Sequence, residues 1–196
     1  MIIQFLPTLV FVVVMLCWIA FAGTFLLRKK QPSPPDQKRE HGSLFGVALQ
    51  GVSYGIVWGL HRRLFTPIVS GSKPLALAAS VLAVVAAVSS VWLIMKALKT
   101  LGKAWSLTAR LVEGHQLATE GPYAYVRHPI YTGLLGMLVA TGLAVSHWAA
   151  LLGALFVFFV GTRIRVRSEE KLLRGAFGEQ FEAYARRVPA ILPGLY

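Results

Sequence analysis

Residues 129–164 read PIYTGLLGMLVATGLAVSHWAALLGALFVFFVGTRI, with Arg163 the one formally charged side chain among them. A helix that crosses a bilayer needs about 20 mostly apolar residues. This stretch accommodates two, at 129–146 and 148–164, joined at the polar pair Ser146-His147. So short a link makes the pair an antiparallel helical hairpin. Outward from the hairpin, three more apolar runs occur at 2–27 (IIQFLPTLVFVVVMLCWIAFAGTFLL), 44–60 and 74–95. The chain is therefore expected to be an all-α integral membrane protein with five transmembrane helices, the last two forming the hairpin. The first run has no positive charge before it, and Arg28, Lys29 and Lys30 follow it. That order fits an uncleaved span with its N-terminus outside, not a secretory signal.

The composition agrees. Of 196 residues, 56% are hydrophobic and 14% charged, where a soluble domain carries about 25% charged residues. Mean hydropathy is +0.61. Such a chain is too apolar for water and far too apolar for a disordered protein. Lys and Arg number 20 against 8 Asp and Glu, a net charge of +12. A basic surplus on a polar scaffold points to nucleic acid; in a chain this apolar it marks cytoplasmic loops, and no nucleic-acid partner is expected. The loop 28–43, the segment 96–128 and the tail from 163 carry five, five and seven cations, 17 of the 20. With five spans these three regions share one side, which places the N-terminus outside and the C-terminus in the cytoplasm. The single cysteine, Cys17, lies in an apolar run, so neither an intrachain disulfide nor a cysteine metal cluster is expected.

The first 95 residues form a three-helix membrane region with almost no reactive side chains. Gly51, Gly55 and Gly59 mark one face of its second helix, and small residues so spaced let helices approach closely. Packing within the monomer and packing between chains both fit that face, and the sequence leaves the oligomeric state open. The chemistry-bearing residues fall in 96–196. Gly114-His115-Gln116-Leu117-Ala118-Thr119-Glu120-Gly121-Pro122-Tyr123 is a glycine-flanked loop able to approach a ligand closely. Arg127-His128-Pro129-Ile130-Tyr131 follows, and Pro129 suits the first position of a helix. Arg127, His128 and the helix N-terminus there favour an anion, although a headgroup-facing arginine and a helix-capping histidine fit the same residues. Beyond the hairpin come Arg163, Arg165, Arg167, Glu169 and Glu170, with positions 165 and 169 on one helix face. Leu173, Phe177, Phe181 and Tyr184 then form the apolar stripe of an amphipathic helix lying on the membrane or on the site.

Taken as a set, HQLATEGPYAYVRHPIYTG, RVRSEE and FGEQFEAYARRVPAILP resemble the isoprenylcysteine carboxyl methyltransferase family and, more distantly, the phospholipid methyltransferases. The resemblance covers about the last 85 residues. It implies S-adenosylmethionine as methyl donor, held in a cytoplasmic-side pocket made by the loop before the hairpin and by the tail. The cofactor contacts it implies are His115, Gln116, Leu117, Ala118, Tyr123, Arg127, His128, Pro129, Ile130 and Glu169. It assigns Arg165 to the substrate, as the catalytic residue, and it implies no metal. Thr108 stands near the place of a cofactor-contacting glutamine in animal members. The implied acceptor is the carboxylate of an isoprenylcysteine-like, lipophilic or prenylated substrate drawn from the membrane lipid. A carboxylate is already ionised at neutral pH and needs no general base, while arginine's planar fork suits it.

Three other readings remain open at this level. An N-methyltransferase for phospholipids or small amines would need a base and an acidic or neutral pocket, against which the arginine collar counts. A sterol-type NADPH reductase also carries R-H-P-x-Y-x-G, but there it usually reads R-H-P-N-Y with an acidic residue soon after the glycine; here those places hold Ile130 and Leu134. A non-enzymatic membrane scaffold would make the paired polar motifs a coincidence.

Overall fold

Each of the five apolar runs forms one helix in the computed structural model, which describes residues 2–26, 36–40, 42–68, 71–102, 105–112 and 116–192. Helix α1 covers Ile2–Leu26, α2 Gly42–Gly59, α3 Lys73–Leu101, α4 Pro129–Val145 and α5 Trp148–Phe177, and a short α6 covers Glu179–Ala185. Among the described residues, three helices are long and apolar enough to cross a membrane: α1 from Phe5, α3 and α5. Helices α2 and α4, of 18 and 17 residues, are shorter; 17 residues rise about 26 Å, against about 30 Å of hydrocarbon.

Two helices run further than the apolar pattern alone predicts. Nothing breaks α3 before Gly102 or α5 before Gly178. Both glycines take positive φ, 51° and 48°, a conformation open to glycine at little cost. Each closes the helix with its own N–H, on Leu98 O and Arg174 O respectively. The expected amphipathic tail helix is therefore two pieces, the polar extension of α5 beyond residue 164 and then α6.

A short ribbon accompanies the helices. Asp36–Arg39 (β1) and Arg110–Val112 (β2) pair antiparallel, and Glu40 N–H continues the ladder onto Ala109 O at 3.0 Å. Two short segments so far apart in sequence have no local signal for pairing; it follows from both lying at the same end of the bundle.

Helix α2 lies along α5, α3 along α4, and α1 against α3. Val14, Val57, Ala87, Met137, Leu138 and Phe158 meet in the core, drawn from all five long helices. Outward-facing side chains such as Leu16, Ile19, Val85 and Phe156 are more than half exposed, an apolar belt larger than a soluble surface carries. Glycines set the closest crossings, but not the expected ones. Gly51, Gly55 and Gly59 are exposed, and a Cβ on any of them would meet nothing within 4 Å. They do not pack inside the monomer, because α2 turns Gly46, Gln50, Ser53 and Val57 inward instead. The close contact is Gly46 against Gly161: a Cβ on Gly161 would stand 2.8 Å from Gly46 O.

The bundle has two distinct ends. At one, the Ser146-His147 turn meets the segment after α2. Arg62 donates from its backbone N–H to Val145 O at 2.9 Å and from its guanidinium to Leu143 O and Ala144 O at 2.8 and 2.9 Å. A cation there satisfies the open carbonyls of the α4 C-terminus and opposes its dipole. The Phe11–Phe65 ring contact, 5.2 Å between centroids, puts the N-terminal half of α1 at this end. At the other end lie the C-terminus of α1, joined to Trp105 through Phe25, the β1–β2 ribbon, the start of α4 and the extension of α5.

Replacing Gly161 by alanine forces α2 and α5 apart. Gly161→Ala should cost about 1–3 kcal/mol, the usual size of overpacking, and lower the melting temperature in detergent. Gly55→Ala should not lower it. Equal melting temperatures for the two variants would refute the Gly46–Gly161 crossing.

Candidate active site

At the end of the bundle that holds the start of α4, helices α1, α3, α4, α5 and α6 and the segment 105–110 enclose a cavity of about 490 Å³. Small-molecule sites generally measure about 300–1,000 Å³. One wall is polar, with His128, Tyr131, Arg165 and Glu169, and an apolar arm holds Phe21, Phe25, Leu101, Trp105 and Leu134.

The polar wall follows from helix geometry. Pro129 opens α4 as the sequence predicts. Helix α5 returns antiparallel, so its polar extension passes the N-terminus of α4. Arg165 and Glu169 lie one turn apart on the same face of α5, with their charged atoms 3.9 Å apart. Adjacent residues on a helix point about 100° apart, so Glu170 faces a different way from Glu169. His128 sits between the two, Nδ1 3.3 Å from Glu169 and Nε2 3.3 Å from Glu170. Only the imidazolium donates from both ring nitrogens. Burial pulls the His128 pKa down, but the hydrogen bonds and charges of Glu169 and Glu170 outweigh it and hold the pKa above its ordinary value. Tyr131 donates its hydroxyl to Glu169.

Glu170 belongs to a second task. Burial raises its pKa, and His128 and Arg127 more than offset that, holding it near 2. Arg127 Nε donates to Glu170 at 3.0 Å, and its Nη1 donates to Ala185 O at 2.9 Å and to Val188 O. The backbone N–H groups of Arg127 and His128 donate to Pro189 O and Ala190 O at 2.8 and 2.9 Å. Thr132 donates to Ile191 O at 2.6 Å, and Tyr184 donates its hydroxyl to Tyr123 O at 2.6 Å. The C-terminal segment is thus clipped across the start of α4, where an incoming anion was expected.

Arg165 is almost wholly buried; both its terminal nitrogens are bonded, while its buried Nε has no hydrogen-bond partner among the described residues. Its Nη1 donates to Gln50 Oε1 at 2.9 Å and its Nη2 to Leu107 O at 2.7 Å. Its guanidinium lies 4.6 Å over the Tyr131 ring, a cation–π distance.

Of the residues singled out in the sequence, Leu117, Ala118, Tyr123, Arg127, His128, Ile130, Arg165 and Glu169 line the cavity, as does Thr108. Pro129 is buried behind it and Gln116 is exposed off its wall. His115 lies outside the described residues. The stripe Leu173, Phe177, Phe181 and Tyr184 packs with Leu117 and Val188 over the cavity, so the tail covers the site. Sequence reading missed Gln50, Tyr131 and the framework role of Glu170. Gln50 did carry a signal, since a strongly polar side chain in an apolar span marks function by default.

The family model for isoprenylcysteine carboxyl methyltransferase (ICMT) matches residues 78–175. Over 79 residues the chain is 34% identical to the protein-S-isoprenylcysteine O-methyltransferase of Schizosaccharomyces pombe, covering 40% of this chain and 34% of that one. Over 99 residues it is 33% identical to protein-S-isoprenylcysteine O-methyltransferase B of Arabidopsis thaliana, covering half of each. Over 106 residues it is 40% identical to the cobalt-zinc-cadmium resistance protein CzcN of Cupriavidus metallidurans, covering 50% of this chain and 45% of that one. The chain thus spans between a third and a half of the length of these relatives. The family match takes in most of α3, all of α4 and α5 up to Gly175, and with them all four residues of the polar wall, and on that match the chain belongs to the isoprenylcysteine carboxyl methyltransferase family.

Proposed function

We propose that the chain transfers a methyl group from S-adenosylmethionine to the carboxylate of an isoprenylcysteine-like substrate at the membrane. The observation that carries this reading is the two-sided cavity. Its polar wall holds a buried arginine beside a glutamate, and its apolar arm runs to Phe21, Phe25 and Trp105. An anionic head and an apolar body fit such a space together.

The residues present suit the cofactor. Glu169 offers a carboxylate to ribose hydroxyls or an ammonium group, and Tyr123, Phe181 and Tyr184 offer aromatic surface on the same cavity. Bound S-adenosylmethionine supplies an electrophilic methyl group. Arg165 holds the acceptor carboxylate in line with it, so alignment provides much of the rate. His128, held as an imidazolium between two carboxylates, orients Glu169 and is not a free base. Arg127, paired with Glu170, closes the cofactor pocket by pinning the tail rather than by binding an anionic group of the ligand. A substrate amine would have to lose a proton first, beside Arg110, Arg127 and Arg165 on the cavity wall; a carboxylate needs no such step.

The same reading takes all five long helices as spans, with residues 96–196 as the methyltransferase core and residues 1–95 completing its apolar arm. The end holding the cavity faces the cytoplasm and the Ser146-His147 turn faces outside, in keeping with the charge bias. Cysteines placed at exposed His147 and Gln180, in a Cys17→Ser background, should label from opposite sides of the membrane. Labelling of both from one side would refute the topology.

His128→Ala and Glu169→Ala should each weaken S-adenosylhomocysteine binding by about 10- to 100-fold, the size of one lost charged hydrogen bond. His147→Ala, at the far end, should leave it unchanged. Arg165→Lys keeps the charge but loses the fork, so turnover of N-acetyl-S-farnesylcysteine should fall far more than cofactor affinity. Wild-type methylation of phosphatidylethanolamine without methylation of the farnesylcysteine would overturn the acceptor.

The ion cluster also sets a pH dependence. His128 has a raised folded pKa, so its contribution to stability is complete below its unfolded value and is lost as pH rises through the folded one. Glu170 has a lowered pKa, so its contribution is present above the unfolded value and is lost only as pH falls toward 2. The melting temperature in detergent should therefore fall on the alkaline side, above about pH 6.5, and His128→Gln should remove that slope. A wild-type profile flat from about pH 6 to 9 would contradict the imidazolium assignment.

A further inference from the structure

Gln50 lies midway along α2 and is 5% exposed. At membrane depth a side-chain amide has no water to turn to and must find partners within the protein. Gln50 finds two on α5. Its Nε2 donates to Thr162 Oγ1 at 2.8 Å, and its Oε1 accepts from Arg165 Nη1 at 2.9 Å. The amide oxygen must face the guanidinium, since arginine has no acceptor. The Gly46–Gly161 approach, one turn earlier on each helix, brings α2 near enough for both bonds.

The same guanidinium stands 3.9 Å from Glu169, just outside hydrogen-bond length. A free guanidinium beside a carboxylate closes into a bidentate fork. That fork would bind the two groups to each other and leave neither for a ligand. Instead, Nη1 donates to Gln50 and Nη2 to the Leu107 carbonyl at 2.7 Å. Building on the function proposed above, we propose that Gln50 is a positioning residue that keeps Arg165 from collapsing onto Glu169, so that cation and anion serve acceptor and cofactor separately. Gln50 touches neither ligand; it acts through Arg165.

Gln50→Met keeps the volume and removes the bonds, while Gln50→Glu restores an acceptor for Nη1. In Gln50→Met, S-adenosylhomocysteine affinity by calorimetry should fall about tenfold and the KM for N-acetyl-S-farnesylcysteine should rise by as much, the scale of one charge-assisted hydrogen bond. Gln50→Glu should bring cofactor affinity back close to wild type, yet keep KM high, because it adds a negative charge near the acceptor. Lost packing alone would lower stability without this rescue. The Nη signals of Arg165 in 15N-arginine-labelled protein report the collapse with no ligand present. They should move in Gln50→Met and return in the Gln50→Met/Glu169→Gln double variant. Arg165 signals and cofactor affinity both unchanged in Gln50→Met would overturn the proposal. A wild-type protein that binds no S-adenosylhomocysteine would overturn the proposed function instead, and the Arg165 signals would still decide the role of Gln50.

Discussion

Arginine keeps its charge at every accessible pH, and burying that charge costs several kcal/mol unless partners surround it. Arg165 is 5% exposed at the end of an apolar bundle. Its partners come from four places: Gln50 on α2, the Leu107 carbonyl before β2, the Tyr131 ring on α4 and Glu169 on its own helix. Engaging the two terminal nitrogens and the face of one guanidinium therefore orders the α2–α5 crossing, the segment that walls the cavity and the face α4 turns inward. The β1–β2 ribbon and the Glu40–Lys171 pair, 2.8 Å apart, tie that same segment to α5 from outside.

Two successive glutamates then divide the work. Glu169 turns to the cavity and takes Tyr131 and His128. Glu170 turns to the framework and takes Arg127, His128 and Arg174. Sharing of His128 couples the two tasks, because the ring cannot shift toward one carboxylate without leaving the other. The tail that roofs the cavity is held by Arg127, so the integrity of the pocket and the charge state of His128 are linked through a few ångströms of contact.

Much of this was legible beforehand for definite reasons. Helices long enough to leave water are visible as uninterrupted apolar runs, and Pro129 marks the start of α4 because a proline's missing N–H costs nothing at a first helical position. The i,i+4 spacing of Arg165 and Glu169 places them together on any helix. Other features were not legible. Arg127 reads as a free anion-binding fork until the fold brings the carbonyls of Ala185 and Val188 to it. The glycines at 51, 55 and 59 have the spacing of a packing face, yet α2 is rotated so that Gly46 makes the contact. Gln50 is visible as a lone amide in an apolar run, but its partners lie more than 100 residues away.

By itself, then, the sequence determined the helical membrane character, the charge asymmetry and the motif residues gathered near one end, since hydropathy and local spacing act along the chain. The tertiary structure alone decided which face each helix presents, that loop segments pair as a β ribbon, and that the tail closes over the start of α4. Those outcomes depend on contacts between residues far apart in sequence. Rotating a helix about its axis changes its buried partners while leaving its composition, length and periodicity as they were.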